Sequence, residues 1–416
     1  MRLQREDSDL SDQQTRGLTA LVLAMFSMNV GVSLIMPLLP IYSESLGASG
    51  FLVGAIFAAN PFVRGAMMAT FGSLADRREK KAILRVGLMG YVAVALGFIL
   101  AATAVHLLIL RILQGVVSAM LAPVARAYAG QMSPRGRQGA VMGTMNAGFF
   151  AGFAAGPLIG GVLADLFGMD APFLAMAGLG TLALILVHRS VPQQYPAPNS
   201  GAERRSEVSQ MFKMLRNDII RGLLLMRSSV AMGRGIFSAL LPLFAQMVLS
   251  LSSTQIGLVV TLRALLSSLL QPGFGRVADR HNRKWLAVGG FALAPLAFFL
   301  IPYSRSMGHL LLLTGMLGLS TGISVPALTS LTVDRGRVYG MGRLMGMEGM
   351  FQSFAMATGS ILGGTAMDLF GFDRAFTAAA VISAAGLLCS QWFLRGYTER
   401  ATTARRAPVQ SGRPDD

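Results

Sequence analysis

Apolar residues run along this chain in blocks close to the roughly 20 residues needed to cross a bilayer core of about 30 Å. The blocks lie at 18–42, 50–71, 82–103, 106–128, 137–163, 171–191, 220–248, 253–274, 284–303, 307–329, 339–367 and 373–395. Short polar segments rich in Gly, Ser, Pro and charge divide them, among them "SESLGASG" (43–50), "SPRGRQG" (133–139) and "VDRGRVYG" (333–340). The pattern predicts twelve membrane-crossing helices. The first block is too long for a secretory leader, and its lead mixes Asp and Glu with Arg, so it is read as a span.

Composition agrees. The 416 residues are 53% hydrophobic and only 13% charged, about half the charged fraction of a soluble domain. A single cysteine, Cys389, excludes an intramolecular disulfide. The net charge of +16 need not mean a nucleic-acid partner, because the basic residues have a topological explanation: 29 of the 36 Lys and Arg fall on one side of the predicted spans, and only Arg305 and Arg374 on the other. By the positive-inside rule both termini are cytoplasmic. The bilayer itself is the expected large partner, with nucleic acid excluded and a monomer expected.

The chain also repeats itself. "GSLADRREKK" from Gly72 returns as "GRVADRHNRK" from Gly275, and the same offset relates His106 to His309, Gly115 to Gly318, Gly156 to Gly359, Asp165 to Asp368 and Phe173 to Phe376. Such periodicity marks a duplicated unit. The predicted organisation is a cytoplasmic N-terminus (1–17), a six-helix half (18–192), a polar cytoplasmic linker (193–219), a second six-helix half (220–396) and a cytoplasmic tail (397–416). Two parallel repeats related by an axis along the membrane normal are the arrangement of transporters that rock around a site near the midplane.

Four motifs then carry a resemblance. The loop Gly72, Asp76, Arg77 and Lys81, with its second copy Gly275, Asp279, Arg280 and Lys284, follows G-x-L-A-D-R-x-G-R-K, with Glu79 at the usual second Gly. Span five carries "GFAAGPLIGG" with Gly152, Gly156, Pro157, Gly160 and Gly161. Span one ends "GVSLIMPLLPIY", and span four reads Arg111, Ile, Leu, Gln114, Gly115. In register over nearly the whole chain, these resemble the major facilitator superfamily and, within it, the twelve-span drug:proton antiporters. The resemblance implies an all-α membrane protein of the major facilitator fold, a gating role for the loop residues, an exchanger role for the span-five glycines and a proton-transfer role for Arg111 and Gln114. A packing role for the glycine stripe, allowing close backbone approach, is the alternative.

Ionisable side chains inside spans are costly and suggest functional sites. At 1.5 Å per residue, Arg64, Arg263 and Arg111 lie about 20, 15 and 7 Å below the outer surface, and Arg234 lies near the middle of its span. Arg227, nearer the cytoplasmic boundary, is read as snorkelling. Glu348 is the one carboxylate well inside a span, which makes it the leading proton carrier; an ion pair with one of the arginines is the alternative. Asp165 and Asp368 sit at equivalent outer ends, where interface or capping roles are expected. Relatives that export cationic drugs carry an acid in span one, whereas this chain has Ser33 there and Asn29 one turn earlier. With Asn29, Ser33, Arg64, Arg234 and Arg263 as cavity candidates, an anionic, zwitterionic or neutral substrate is favoured.

No phosphate-binding loop, metal-ligand spacing or nucleophile motif is present, so neither a cofactor nor an enzymatic activity is expected. The reading is a proton-coupled exporter of small amphipathic compounds in a bacterial inner membrane. A facilitator or symporter of organic anions is the alternative, and a non-transporting sensor or scaffold is a remote one.

Overall fold

The computed structural model describes residues 2–133, 138–193 and 214–395, with side chains from residue 15 onward except at 69, 73, 75–77, 138–140, 279 and 337. The predicted tail and most of the linker lie outside the described residues, as do the side chains of Asp76, Arg77 and Asp279.

Every regular element described is helical. In the first half these are α1 (Arg2–Leu34), α2 (Leu38–Ser45), α3 (Gly50–Arg77), α4 (Lys80–Ile99), α5 (Ala104–Met132), α6 (Gln138–Phe167) and α7 (Asp170–Ser190). The second half holds α8 (Asp218–Met247), α9 (Ser253–Arg280), α10 (Arg283–Leu300), α11 (Met307–Tyr339) and α12 (Met341–Phe393). The first crossing is α1 with α2, broken where Pro37 offers no N–H and the backbone tightens through Met36 N–H to Ser33 O and Leu38 N–H to Ile35 O. The helix reaches back to Arg2, well before the apolar block begins at 18. At the other end, α12 contains two crossings joined at Gly371, whose φ of 79° only glycine adopts readily. Among the described residues, eleven apolar helices, one of them double, thus give the twelve crossings.

The helix starts show the duplication chemically. Thr103 caps α5 by accepting the N–H of His106, and Ser306 caps α11 by accepting that of His309. Each imidazole reaches back to a loop amide, from Ala102 in one half and Arg305 in the other. The cores repeat too: Phe173 packs on Tyr42 with centroids 5.5 Å apart, and the counterpart pair, Phe376 and Phe244, meets edge-on at 5.7 Å.

Within the first half α1 lies against α6 and α7, and α5 against α3 and α4; in the second, α8 lies against α12, and α11 against α9 and α10. Two seams join the halves, α3 with α12 and α6 with α9.

Candidate functional site

The seams are held near one face. Asp368, close to the end of the first crossing of α12, points its carboxylate at the exposed start of α3 and accepts the N–H groups of Gly50 at 2.6 Å and Phe51 at 2.7 Å. Its repeat partner Asp165 does the same for α9, accepting from Ser253 at 3.0 Å and Thr254 at 2.8 Å. A carboxylate at a helix start satisfies free amides and meets the positive end of the helix dipole. Here each carboxylate belongs to one half and each helix start to the other, so a cap becomes a clasp. The next contacts inward are equally symmetric. Gly54 approaches the Ser360 carbonyl, and its counterpart Gly257 approaches that of Pro157, so closely that a Cβ on either would strike backbone. Thr261 adds a bond of its own, donating to the Ala154 carbonyl at 3.0 Å and accepting from the Leu158 amide at 3.1 Å.

Farther along the same helices the contact ends. Gly65 still faces Ser353, and Phe62 packs on Phe354 with centroids 5.3 Å apart. Beyond them, an added Cβ at Gly72 on α3, Gly143 on α6, Gly273 on α9 or Gly342, Gly346 and Gly349 on α12 would meet nothing within 4 Å. These glycines lie toward the face where the first crossing begins, the last crossing ends and the basic segments 78–81 and 280–284 lie, called the basic face below. The halves therefore close at the opposite face and part at the basic face.

The expected site residues fall into three groups. Glu348 forms an ion pair with Arg227, its carboxylate against Nε and the Thr332 hydroxyl 3.5 Å away, while Arg227 Nη2 donates to Thr329 at 2.8 Å. Glu348 and Arg227 are both buried, so Arg227 does not snorkel, and the ion pair lies inside the second half about 10 Å from the basic end of α12. Arg111 is also buried. It donates from Nε to the Ile56 carbonyl at 3.1 Å and from Nη1 to Gln114 at 2.6 Å, and its guanidinium lies over Phe57. The R-x-x-Q-G motif thereby ties α5 to α3.

Arg64, Arg234 and Arg263 form the third group, inside the apolar spans of their helices. Arg234 donates to Gln352 at 3.1 Å, and Arg263 stacks on Phe237 at 4.2 Å. None of the three has a carboxylate partner among the described residues. Arg64 and Arg263 project from α3 and α9, one from each half. Asn29 and Ser33 are not brought to them: Asn29 bonds the Met25 carbonyl at 2.6 Å, while Ser33 is fully buried and donates to Val30 and Gly152 carbonyls.

The glycine stripe packs largely within its own half. Gly152, Gly156 and Gly160 press on α1 around Phe26, Ser33 and Leu34, whereas Gly161 meets Ser253 across the seam. In the second half Gly359 presses on Met232 of α8, and Gly364 meets Gly50 across the other seam. The basic-face loop in the second half is pinned to its own half: Lys284 Nζ donates to the Leu394 carbonyl at 2.7 Å, and Arg283 pairs with Asp334. Arg280 is exposed, Lys81 half-buried, and Gly275 touches only Pro326.

Sequence reading missed Thr261, whose repeat counterpart is Ala58, and Gln352, which no motif covers. The repeat itself pointed to the two aspartates.

Duplicated six-helix halves, seams that close at one face and open at the other, and arginines from both halves at the middle depth define a membrane transporter built from parallel repeats. The sequence pattern of the Major Facilitator Superfamily matches residues 21–252 and again 223–414, and the chain belongs to this superfamily. It is 28% identical over 361 residues to an uncharacterized MFS-type transporter of Methanocaldococcus jannaschii, covering 86% of this chain and 93% of that one. To the multidrug resistance protein MdtG of Enterobacter lignolyticus it is 27% identical over 422 residues, covering 98% of each, and to MdtG of Yersinia enterocolitica 29% over 395 residues, covering 91% and 93%. Among solved structures, a bacterial homologue of the human lysosomal transporter Spinster, inward-facing and unoccupied, superposes with a TM-score of 0.79 at 14% identity, covering 94% of this chain and 99% of that one. The human organic anion transporter MFSD10 gives 0.65 at 18% identity, covering 91% and 99%. The protein is accordingly a transporter and not an enzyme.

Proposed function

We propose that this transporter exports small amphipathic, drug-like compounds in exchange for protons by alternating access, as a monomer in a bacterial inner membrane with its basic face toward the cytoplasm. The observation that carries the reading is the uneven seam, closed by Asp165 and Asp368 at one face and parted at the other. A cavity that opens to one side, in a fold of two rigid halves, loads from that side and discharges after the halves rock.

In the reverse state the opposite face opens and the basic loops meet. Gly72, with free space around it now, and Gly275, which faces only the Pro326 side chain, become the points of close approach, and the loop residues Asp76, Arg77, Lys81, Asp279, Arg280 and Lys284 form the latch. Glu348 is the proton site. Charged, it holds Arg227; a proton arriving from the opposite face neutralises it and releases the guanidinium, which couples proton entry to rearrangement of α8 against α12. Arg111 with Gln114 keeps α5 fixed to α3 during that motion.

The likeness to MdtG supports the export direction and the substrate class. Export of organic anions is a second reading, favoured by Arg64, Arg234 and Arg263 facing no carboxylate among the described residues. Flux of a fluorescent amphiphile in proteoliposomes, measured under a pH gradient imposed in either direction, tests the proposal. Uptake into vesicles should reverse with the gradient and lose its pH dependence in Glu348→Gln. Flux that ignores both changes would refute proton exchange.

A further inference from the structure

We propose that a small cavity inside the second half is a binding site for one compact anion: a free halide or the carboxylate end of a carried molecule. Where the carboxylate is the carried molecule's own, the site deepens the export reading above; as a halide site it stands apart from that reading.

The cavity, about 20 Å³, lies at the middle depth among α8, α9, α10, α11 and the second crossing of α12. That volume admits about one water-sized centre, so any larger ligand places only its charged end there. Arg234, Arg263, Ser229, Ser320, Thr321 and Ser383 supply its polar wall, and Val230, Phe291, Phe298 and Leu317 contribute to its apolar wall. No carboxylate, amide or imidazole contributes. Four polar side-chain atoms on this wall are buried without a hydrogen-bond partner: Arg234 Nε, Arg263 Nε, Ser320 Oγ and Ser383 Oγ. Ser320 and Ser383 are essentially inaccessible, at 0% and 1% exposure.

Buried donors in such a place are normally satisfied. Two guanidinium N–H groups can only donate, and the two hydroxyls beside them on the wall of this small cavity are free to turn their hydrogens the same way. Two arginines are also close enough to repel, since Arg234 lies within electrostatic reach of Arg263. Glu348 does not relieve them, being paired with Arg227. A monoanion answers both demands: it accepts the unused N–H and O–H bonds, and it cancels one of two like charges in a low-dielectric surrounding. A neutral water accepts two of the bonds and leaves the repulsion.

The test uses the purified full-length protein in detergent, with thermal unfolding followed at constant ionic strength as gluconate is replaced by bromide in one arm and by benzoate in another. At least one arm should raise the unfolding temperature saturably. Arg263→Gln should weaken that anion's apparent affinity by about tenfold or more, as expected for loss of a charged hydrogen-bond donor. Ser320→Ala with Ser383→Ala should weaken it by about threefold, and Arg263→Lys should keep part of it. If Arg263→Gln does not fold, the serine pair and the lysine variant decide. Saturable bromide binding that benzoate does not displace identifies the halide; mutual displacement identifies the carboxylate. No saturable shift in either arm, or a shift equal in wild type and in the variants, overturns the proposal and leaves the cavity to water. Reversal of flux with the pH gradient is read on wild-type protein without these variants, so either inference fails separately.

Discussion

The two ends of the same seams are built from the same residue types and behave oppositely. At one end, Gly54 and Gly257 sit against backbone of the other half, and Asp368 and Asp165 hold helix starts across the divide. At the other, Gly72, Gly143 and Gly346 meet nothing within 4 Å, and the basic loop of the second half bonds to its own half through Lys284 and Arg283. Glycine on an interhelical face is thus no sign of contact in a given state. It permits contact, and on the rocking mechanism proposed above the glycines of the open end become the contacts of the alternate state.

Four changes test this contrast, in decreasing order of expected effect. Glu348→Ala leaves the buried Arg227 guanidinium without its counter-charge and should cost about 3–5 kcal/mol of stability, read as a fall in the unfolding temperature. Gly54→Leu drives a side chain into the Ser360 carbonyl and should destabilise the closed end by about 1–3 kcal/mol. A cysteine at Phe51, in a Cys389→Ser background, should then react faster with a water-soluble thiol reagent.

Asp165→Ala with Asp368→Ala removes two caps at about 1 kcal/mol each, enough to move the balance between states roughly 30-fold toward opening of that face. The same cysteine assay reads it, and equal effects of the two single variants would confirm the symmetry of the clasps. Gly72→Leu should change the stability of the present state by less than about 0.5 kcal/mol, as for an open surface position, yet slow transport by blocking closure of the basic face. Loss of stability in that variant would show that the end is not open.

Much of the architecture was legible because the bilayer imposes it. Block length predicts the spans, and the repeat predicts the equivalent stations of Asp165 and Asp368. Legibility fell where a role depends on a partner distant in sequence. Arg227 looked like a boundary residue because its partner Glu348 lies on another helix. Ser33 was expected to face a substrate cavity, yet α1 delivers its hydroxyl to the Gly152 carbonyl. The stripe of Gly152, Gly156 and Gly160 fits exchange and packing equally until α1 is seen lying along it. Nor does a sequence of two matching repeats say which end of the seams is shut, since each end has its own glycines.

The alternation itself is most directly tested by spin-label distances in two pairs, Phe51 with Leu369 at the closed end and Phe71 with Met345 at the open end, in vesicles with and without an imposed pH gradient. The account predicts opposite changes, the first pair lengthening as the second shortens. Two pairs that stay fixed under every gradient, or lengthen together, would contradict it.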